Sequence, residues 1–139
     1  MQLKSPVFEK GSTIPRKYTC QGIDVSPPLE IADVPAEAKS LALIMDDPDV
    51  PESVRKDGMW VHWVVYNIEP SIKGIEEGTQ SLGTFGKNTG NQNRYMGPCP
   101  PDREHRYFFK LYALDTSLSL GSGATKEELL KAMEGHIIA

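Results

Sequence analysis

Five polar side chains near the ends of apolar segments suit acid–base or anion-binding chemistry. They are Asp47, Asp49, His62, His105 and Tyr107. Imidazole and phenol groups donate hydrogen bonds to oxyanions, and the backbone of residues 97–101, in which Gly97 and Cys99 carry N–H groups, would add more donors. Carboxyl groups repel a bare dianion, so they favour a protonated phosphate or a headgroup with an ammonium group beside its phosphate. These residue types predict a pocket for a small phosphorylated or anionic ligand.

Other roles fit the same residues. Paired carboxyl groups with histidine also suit general acid–base hydrolysis, and aspartate with histidine can ligate a metal ion. No nucleophile elbow, P-loop or HExxH motif accompanies them, so we expect a binding protein without a cofactor rather than an enzyme. Asp47 and Asp49 would also serve as plain turn residues around Pro48, and His62 as a hydrogen-bonded core residue.

Two apolar segments must position these side chains. Residues 40–45 and 60–66 are short, rich in aliphatic, β-branched and aromatic residues, and bounded by proline or glycine, which is typical of strands. Because side chains alternate between the faces of a strand, Asp47 should continue the apolar face that ends at Met45.

Alternation in the second segment predicts that His62 shares a face with Trp60, Val64 and Tyr66. A carboxyl group and an imidazole on apolar faces are costly to bury unless they are paired or hydrogen-bonded. Such positions often have shifted pKa values and useful chemistry.

The remaining segments predict short strands and one helix. Strands are expected at residues 3–8, 18–20, 29–31 and 105–114. Residues 71–104 lose periodicity, so they form either a solvated excursion with a short strand or two or the wall of a pocket. Residues 125–135 predict a helix, because Thr125 and Glu128 form a T-x-x-E capping box.

The order of these elements predicts the fold class. Many strands without regular helical crossovers favour a mainly β, antiparallel Greek-key β-sandwich with a C-terminal helix. The length of 139 residues fits one domain over residues 1–139.

Composition narrows the function class and the compartment. The net charge of −4 gives no electrostatic support for a nucleic-acid partner. No apolar segment is long enough to span a bilayer, and the N-terminus lacks the apolar core of a signal peptide. We therefore expect a cytoplasmic protein, in which Cys20 and Cys99 are free thiols by default.

Four blocks of this sequence resemble the phosphatidylethanolamine-binding protein family, also called the Raf kinase inhibitor protein family. The bacterial and archaeal branch is the nearer match. The blocks are residues 18–22 with 26–29, residues 46–51, residues 60–63, and residues 97–101 with 105–107. Together they cover most of the chain, and each alone would be a weak signal.

The resemblance implies a β-sandwich with an anion-binding pocket at one end. The family's pocket residues fall on Asp47, Asp49, His62, Cys99, Pro100, Pro101, His105 and Tyr107. By this resemblance the aspartates shape the pocket, the histidines donate to the anion and the tyrosine closes one side. Members bind phosphate or phosphoryl headgroups without a cofactor, and some inhibit kinases or serine proteases, so a kinase or protease target is implied. Peptide bonds before the pocket prolines can be cis.

The resemblance also raises a hypothesis about the cysteines. Cys20 and Cys99 fall in blocks near the implied pocket, so they could lie close enough to form a disulfide. Many members continue past the terminal helix, whereas this chain stops at Ala139. The pocket wall that such a tail supplies could come from a partner subunit, so a homodimer is left open. The physiological ligand is also left open.

Overall fold

The structure, a computed structural model, describes residues 1–9, 12–99 and 107–139. Seven strands and one α-helix lie within these ranges. They are β1 (Gln2–Lys4), β2 (Leu29–Ala32), β3 (Ser40–Asp47), β4 (Trp60–Ile68), β5 (Gly74–Ile75), β6 (Thr84–Phe85), β7 (Phe108–Leu114) and α1 (Lys126–Met133). No helix in the described ranges has the length and apolar character needed to cross a membrane.

The described strands form two antiparallel sheets. One sheet has the order β1-β2-β5 and the other the order β6-β4-β3-β7. The main apolar core lies between the sheets and includes Leu29, Ile31, Leu43 and Trp63. This architecture, with one C-terminal helix, confirms the mainly β, antiparallel sandwich predicted from the sequence.

Strand β3 is buried along its whole length, on both faces. Leu41, Leu43 and Met45 face the core between the sheets, whereas Ala42 and Ile44 belong to a second apolar cluster with helix α1. The strand therefore lies in the middle layer of the molecule. Its sequence has to be apolar at consecutive positions, because neither face meets water.

A β-bulge interrupts the pairing of β3 with β4. Met45 pairs with Trp63, but its neighbour Asp46 pairs with Val61, so His62 is an extra residue without a partner on β3. Val61 packs in the helix-side cluster and Trp63 in the inter-sheet core. The bulge thus ends the simple alternation of faces at His62.

Two predictions for the loops have different outcomes. The strand expected at residues 18–20 is wrong, because residues Arg16–Tyr18 form a short 3₁₀ helix that starts after Pro15. Pro15 accepts the first hydrogen bond of this turn from the N–H group of Tyr18, whose side chain is buried. Short strands within residues 71–104, which one of the two interpretations included, are present as β5 and β6.

Helix α1 has the predicted capping box. The Thr125 hydroxyl accepts a hydrogen bond from the Glu128 N–H group, and the Glu128 carboxylate accepts one from the Thr125 N–H group. The chain leaves the helix at Gly135, which has a φ of 78°, a conformation that glycine adopts without strain. The following residues return beside β7, where the Ala113 N–H group donates to the Ala139 carbonyl.

Two neighbouring leucines test how α1 is held on the sheet. Leu129 is fully buried, whereas Leu130 is 36% exposed. We expect Leu129→Ala to lower the free energy of unfolding by about 2–5 kcal/mol, because it opens a cavity under the helix. The control Leu130→Ala should cost about 1 kcal/mol or less. Chemical denaturation measures both, and equal losses would contradict this packing.

Candidate functional site

Three of the predicted site residues meet at one end of the sandwich. Strand β3 ends at Asp47, directly opposite Trp60 at the start of β4. The His62 ring contacts the edge of the Tyr107 ring, with 5.6 Å between ring centroids. The charge of Asp47 also acts on the pKa of His62. His62 and Tyr107 are therefore in contact, and Asp47 is close enough for its charge to act on His62.

Strand alternation assigned His62 to the wrong face. Val64 and Tyr66 pack on the helix side of the sheet, but His62 meets Tyr107, which packs against the inter-sheet core. The bulge at His62 causes this difference, because one extra residue reverses the direction of the next side chain. Bulges are common beside active sites for this reason.

The aspartates of residues 46–49 have two roles. Asp47 is 2% exposed, and its Oδ1 atom accepts a hydrogen bond of 2.7 Å from the Asp49 N–H group. This contact is a local turn, as the plain turn interpretation predicts. The charge of Asp47 also acts on His62, so the same side chain serves the turn and the candidate site. Asp49 is half-buried beside it.

Asp46 lies on the opposite face and belongs to a structural cluster. Its Oδ2 atom accepts hydrogen bonds from Lys126 at 2.8 Å and from Lys110 at 3.1 Å. Asp46 is fully buried, and these two ion pairs at Oδ2 offset part of the loss of hydration, whereas Oδ1 has no hydrogen-bond partner among the described residues. Since Lys126 is the first residue of α1, this cluster fixes the start of the helix on the sheet.

His62 is held by a reciprocal pair of hydrogen bonds with Met96. The ring Nδ1 atom lies 2.7 Å from the Met96 carbonyl oxygen, and the Met96 N–H group donates to the His62 carbonyl at 3.0 Å. A carbonyl only accepts hydrogen bonds, so Nδ1 carries the proton. The Nε2 atom is buried and has no hydrogen-bond partner among residues 1–9, 12–99 and 107–139.

Burial lowers the pKa of His62 below its ordinary value of 6.5. The hydrogen bond to Met96 and the charges of Asp47, Asp46 and Asp24 act in the opposite direction but are weaker. The lowered pKa favours a neutral imidazole at neutral pH. Its Nε2 atom then offers a lone pair rather than a proton.

The segment 96–99, which we call the wall segment, packs against the loop of residues 19–24. The Gly97 N–H group donates to the Asp24 carboxylate at 2.7 Å, and the Cys20 N–H group donates to the Pro98 carbonyl at 3.1 Å. A side chain at Gly97 would collide with Asp24 and with the Tyr18 backbone. This close approach requires glycine.

Cys20 and Cys99 form a disulfide between this loop and the wall segment, with 5.4 Å between their Cα atoms. The default expectation of free thiols is therefore wrong, and the hypothesis of a bridge is confirmed. The two cysteines are 79 residues apart in sequence, so spacing alone does not indicate the pair.

Sequence reasoning missed Asp24, Tyr95 and Met96. The Tyr95 hydroxyl donates to the Tyr18 carbonyl at 2.7 Å, and the Tyr95 ring meets Trp63 edge-on at 5.4 Å. Burial raises the pKa of Tyr95 well above its usual value. The sequence does contain a signal for Tyr95. It is a large aromatic residue in a glycine-rich segment, and exposing its side chain to water costs more free energy than exposing those of its neighbours.

The structure does not place the other predicted site features in the cluster around His62. Pro100, Pro101 and His105 lie outside the described residues. The described residues contain no cis peptide bond and no cluster of three histidine, cysteine or acidic residues that could ligate a metal ion. Cys99 is present in the wall segment, but its half of the disulfide is exposed.

A cavity of about 470 Å³ lies at the other end of the sandwich. It is lined by residues 31–36, 38 and 70–73, near the start of β3 and the end of β4. We assign the candidate site to the Asp47 end instead. That end contains the neutral, buried imidazole with an unused nitrogen, whereas the cavity contains no comparable group.

Comparison with known proteins gives a consistent result. The family model described as phosphatidylethanolamine-binding protein matches residues 4–139. A UPF0098 protein of Chlamydia trachomatis is 57% identical over 139 residues, covering 100% of this chain and 93% of its own length. A UPF0098 protein of the archaeon Methanothermobacter thermautotrophicus is 50% identical, covering 99% of this chain and 92% of its own.

Two solved structures are similar along the whole chain. The crystal structure of a homologue of phosphatidylethanolamine-binding protein, CT736 of Chlamydia trachomatis, has a TM-score of 0.96 and 56% identity, covering 99% of this chain and 90% of that one. Escherichia coli YbcL, described as a new member of the mammalian family, has a TM-score of 0.88 and 27% identity, covering 99% and 92%.

The lowered pKa of His62 predicts a specific loss of stability in acid. The unfolded chain binds the imidazole proton more tightly than the folded chain, so the free energy of unfolding should fall as the pH drops below about 6.5. A His62→Asn variant, whose amide can still donate towards Met96, should lose less stability over this range. Denaturant titrations at about pH 7.5 and about pH 5.5 measure the difference.

The matched control for this measurement is His136→Asn. His136 is partly exposed and hydrogen-bonds to Asp115 at 2.8 Å, far in sequence from the pocket. In this variant the part of the acid-dependent loss that is assigned to His62 should remain. An unchanged loss in His62→Asn would contradict the assignment of a neutral, buried imidazole.

Proposed function

The chain belongs to the phosphatidylethanolamine-binding protein family, and from this premise we propose that it binds a small phosphorylated or anionic ligand. The proposed pocket lies where β3 ends and β4 begins, beside Asp47, His62 and Tyr107. One observation carries the proposal. The buried Nε2 atom of His62 has no hydrogen-bond partner within the part of the chain that the structure describes.

A buried polar atom without a partner costs about 1–3 kcal/mol of free energy. Nδ1 of His62 is already occupied by the Met96 carbonyl, so the ring cannot turn to satisfy Nε2 without losing that bond. A ligand atom that forms a hydrogen bond with Nε2 would remove this cost. The ring is therefore arranged for binding before any ligand arrives.

The charges near His62 restrict the ligand. Asp47 is negative, and the neutral imidazole adds no positive charge. A bare dianion would be repelled, and it has no proton to offer Nε2. A phosphoryl group that carries one proton would fit both Asp47 and His62. It could donate a hydrogen bond to Nε2 or transfer its proton to the imidazole. An ammonium group beside the phosphate would add an attraction to the carboxyl groups.

The other predicted site residues have roles in this proposal. Asp49 and Asp47 would accept hydrogen bonds from the ligand, and Tyr107 would close one side against the His62 ring. For Cys99, Pro100 and Pro101 as the wall, and for His105 as a second donor, the proposal rests on the family resemblance.

Wider roles of the protein are also proposals. A kinase or protease target follows from the family alone, because no contact among the described residues selects one. We propose a cytoplasmic location on the sequence grounds given above. A hydrolase that uses the same residues is the alternative, and it has one favourable observation: a neutral imidazole with a free lone pair can act as a general base.

Calorimetric titration with phosphate and with phosphorylethanolamine tests the proposed function. We expect saturable binding that weakens by about tenfold or more in His62→Asn, because a hydrogen bond to a charged group contributes about 1.5–3 kcal/mol. His136→Asn is the matched control and should bind as the unmodified chain does. Tighter binding of phosphorylethanolamine would identify a zwitterionic ligand.

Two outcomes would contradict the binding proposal. A folded protein that binds neither compound would exclude a phosphoryl pocket at this end. Hydrolysis of a phosphate ester or a carboxylic ester that disappears in His62→Asn would support the hydrolase instead.

Binding should be coupled to proton uptake. The free site holds a neutral imidazole among Asp24, Asp46 and Asp47, with Tyr107 against the ring. The complex needs one more proton between Nε2 and the ligand, so anion affinity should rise as the pH falls towards about 6.5. Titration in buffers of different ionisation enthalpy measures the proton count. Uptake of no proton at a pH well above the second pKa of the phosphoryl group, where the free ligand brings no proton of its own, would contradict the neutral site.

A further inference from the structure

The Cys20–Cys99 disulfide lies on the surface, where other molecules can reach it. Both residues are exposed, and so is most of the loop that contains Cys20, including Ile23 at 67% exposure. Thiol–disulfide exchange requires that a thiolate reach one of the sulfur atoms. An exposed bridge meets this condition, whereas a buried one does not.

The disulfide is attached to the segment that positions His62. Within the wall segment, Cys99 is bonded to Cys20, and the Pro98 carbonyl accepts the Cys20 N–H group. Three residues before Cys99, Met96 exchanges two hydrogen bonds with His62. The wall segment therefore has the disulfide at one end, at Cys99, and the two hydrogen bonds to His62 at the other end, at Met96.

Between these two ends, the wall segment has little freedom. Gly97 donates to the Asp24 carboxylate at 2.7 Å and packs so closely on the Tyr18 backbone that no side chain would fit. A shift of the loop that contains Cys20 would therefore move Gly97. Met96 directly precedes Gly97, so that shift would also move the Met96 carbonyl, which accepts the hydrogen bond from Nδ1 of His62.

We propose that the Cys20–Cys99 disulfide is a redox switch, called the latch below, that holds the wall segment in place beside His62. A dithiol reductant opens it, and opening it loosens the wall segment and weakens anion binding at His62. The inference rests on the proposed function for its effect on binding. Its effect on the wall segment stands on the contacts alone.

The exchange is chemically balanced. A thiolate of the dithiol attacks one sulfur of the bridge, the Cys20–Cys99 bond breaks, and a mixed disulfide forms. The second thiol of the reductant then displaces the protein sulfur. Two electrons and two protons pass from the reductant to the protein, which leaves two cysteine thiols and an oxidised, disulfide-bonded reductant.

The loosening is expected to be local. The contacts that remain after reduction include the hydrogen bond from Cys20, an exposed residue, to the buried Pro98, and hydrogen bonds of exposed loops open more readily than those of the core. The centre of the sandwich does not depend on the bridge. Leu43 and Val65 pair across β3 and β4 and are fully buried.

Titration with inorganic phosphate tests the effect on binding. The chain is measured oxidised and then in dithiothreitol, with a Cys20→Ser/Cys99→Ser double variant as the matched control. We expect reduction to weaken binding by about fivefold or more, which is the lower limit of typical coupling between sites. The double variant should bind as the reduced chain does and should not respond to dithiothreitol. Equal affinity of the oxidised and reduced chains overturns the latch.

Amide hydrogen exchange measured by NMR tests the effect on the wall segment. Reduction should accelerate exchange at Met96 and Gly97 and leave Leu43 and Val65 unchanged. Equal acceleration at all four amides would show that the bridge only stabilises the whole fold, and unchanged exchange at Met96 and Gly97 would show that the wall does not depend on it. Either result overturns the latch.

The two measurements separate the two proposals. If neither redox form binds phosphate, the proposed function fails, and hydrogen exchange alone decides whether the disulfide controls the wall segment. If the oxidised chain binds phosphate, both measurements must show the expected change for the latch to stand.

Discussion

His62 is the extra residue of β4 in its pairing with β3, and the geometry of the candidate pocket depends on this bulge. Regular pairing would direct the imidazole to the helix side, into the cluster of Ile44 and Leu129. There it would lie among mainly apolar side chains and away from the Met96 carbonyl. The bulge turns the ring towards Tyr107 and lets its Nδ1 atom reach the Met96 carbonyl. Without a hydrogen-bond partner, the buried imidazole would cost free energy. The one added residue gives it a partner and a fixed position.

The neighbouring aspartates show two solutions to the cost of burying a charge. Asp46 points to the helix side, where Lys110 and Lys126 share one of its oxygen atoms. Asp47 points to the other face and accepts the N–H group of Asp49 in its own turn. The first arrangement joins the helix to the sheet, and the second leaves a carboxyl group beside His62. A structural role and the proposed binding role therefore belong to adjacent positions of one strand.

Residues 86–99 connect the fold to the pocket. Gly86, Thr89 and Met96 each donate a backbone hydrogen bond to β4, at Val64, Val61 and His62 respectively. This segment covers the outer edge of the bulged strand before it reaches the disulfide. Its backbone contacts satisfy carbonyl groups along the outer edge of β4, so this part of residues 71–104 packs on the sheet.

The sequence by itself determined the elements that depend on local patterns. Apolar runs defined β3 and β4, Thr125 and Glu128 defined the start of α1, and four motif blocks indicated the family and the aspartate–histidine cluster. Only the tertiary structure decided the face of His62, the bond between Cys20 and Cys99, and the contact of Met96 with the imidazole. The physical reason is range: strand periodicity and helix caps arise from residues a few positions apart, whereas a bulge or a bridge depends on which distant segments pack together.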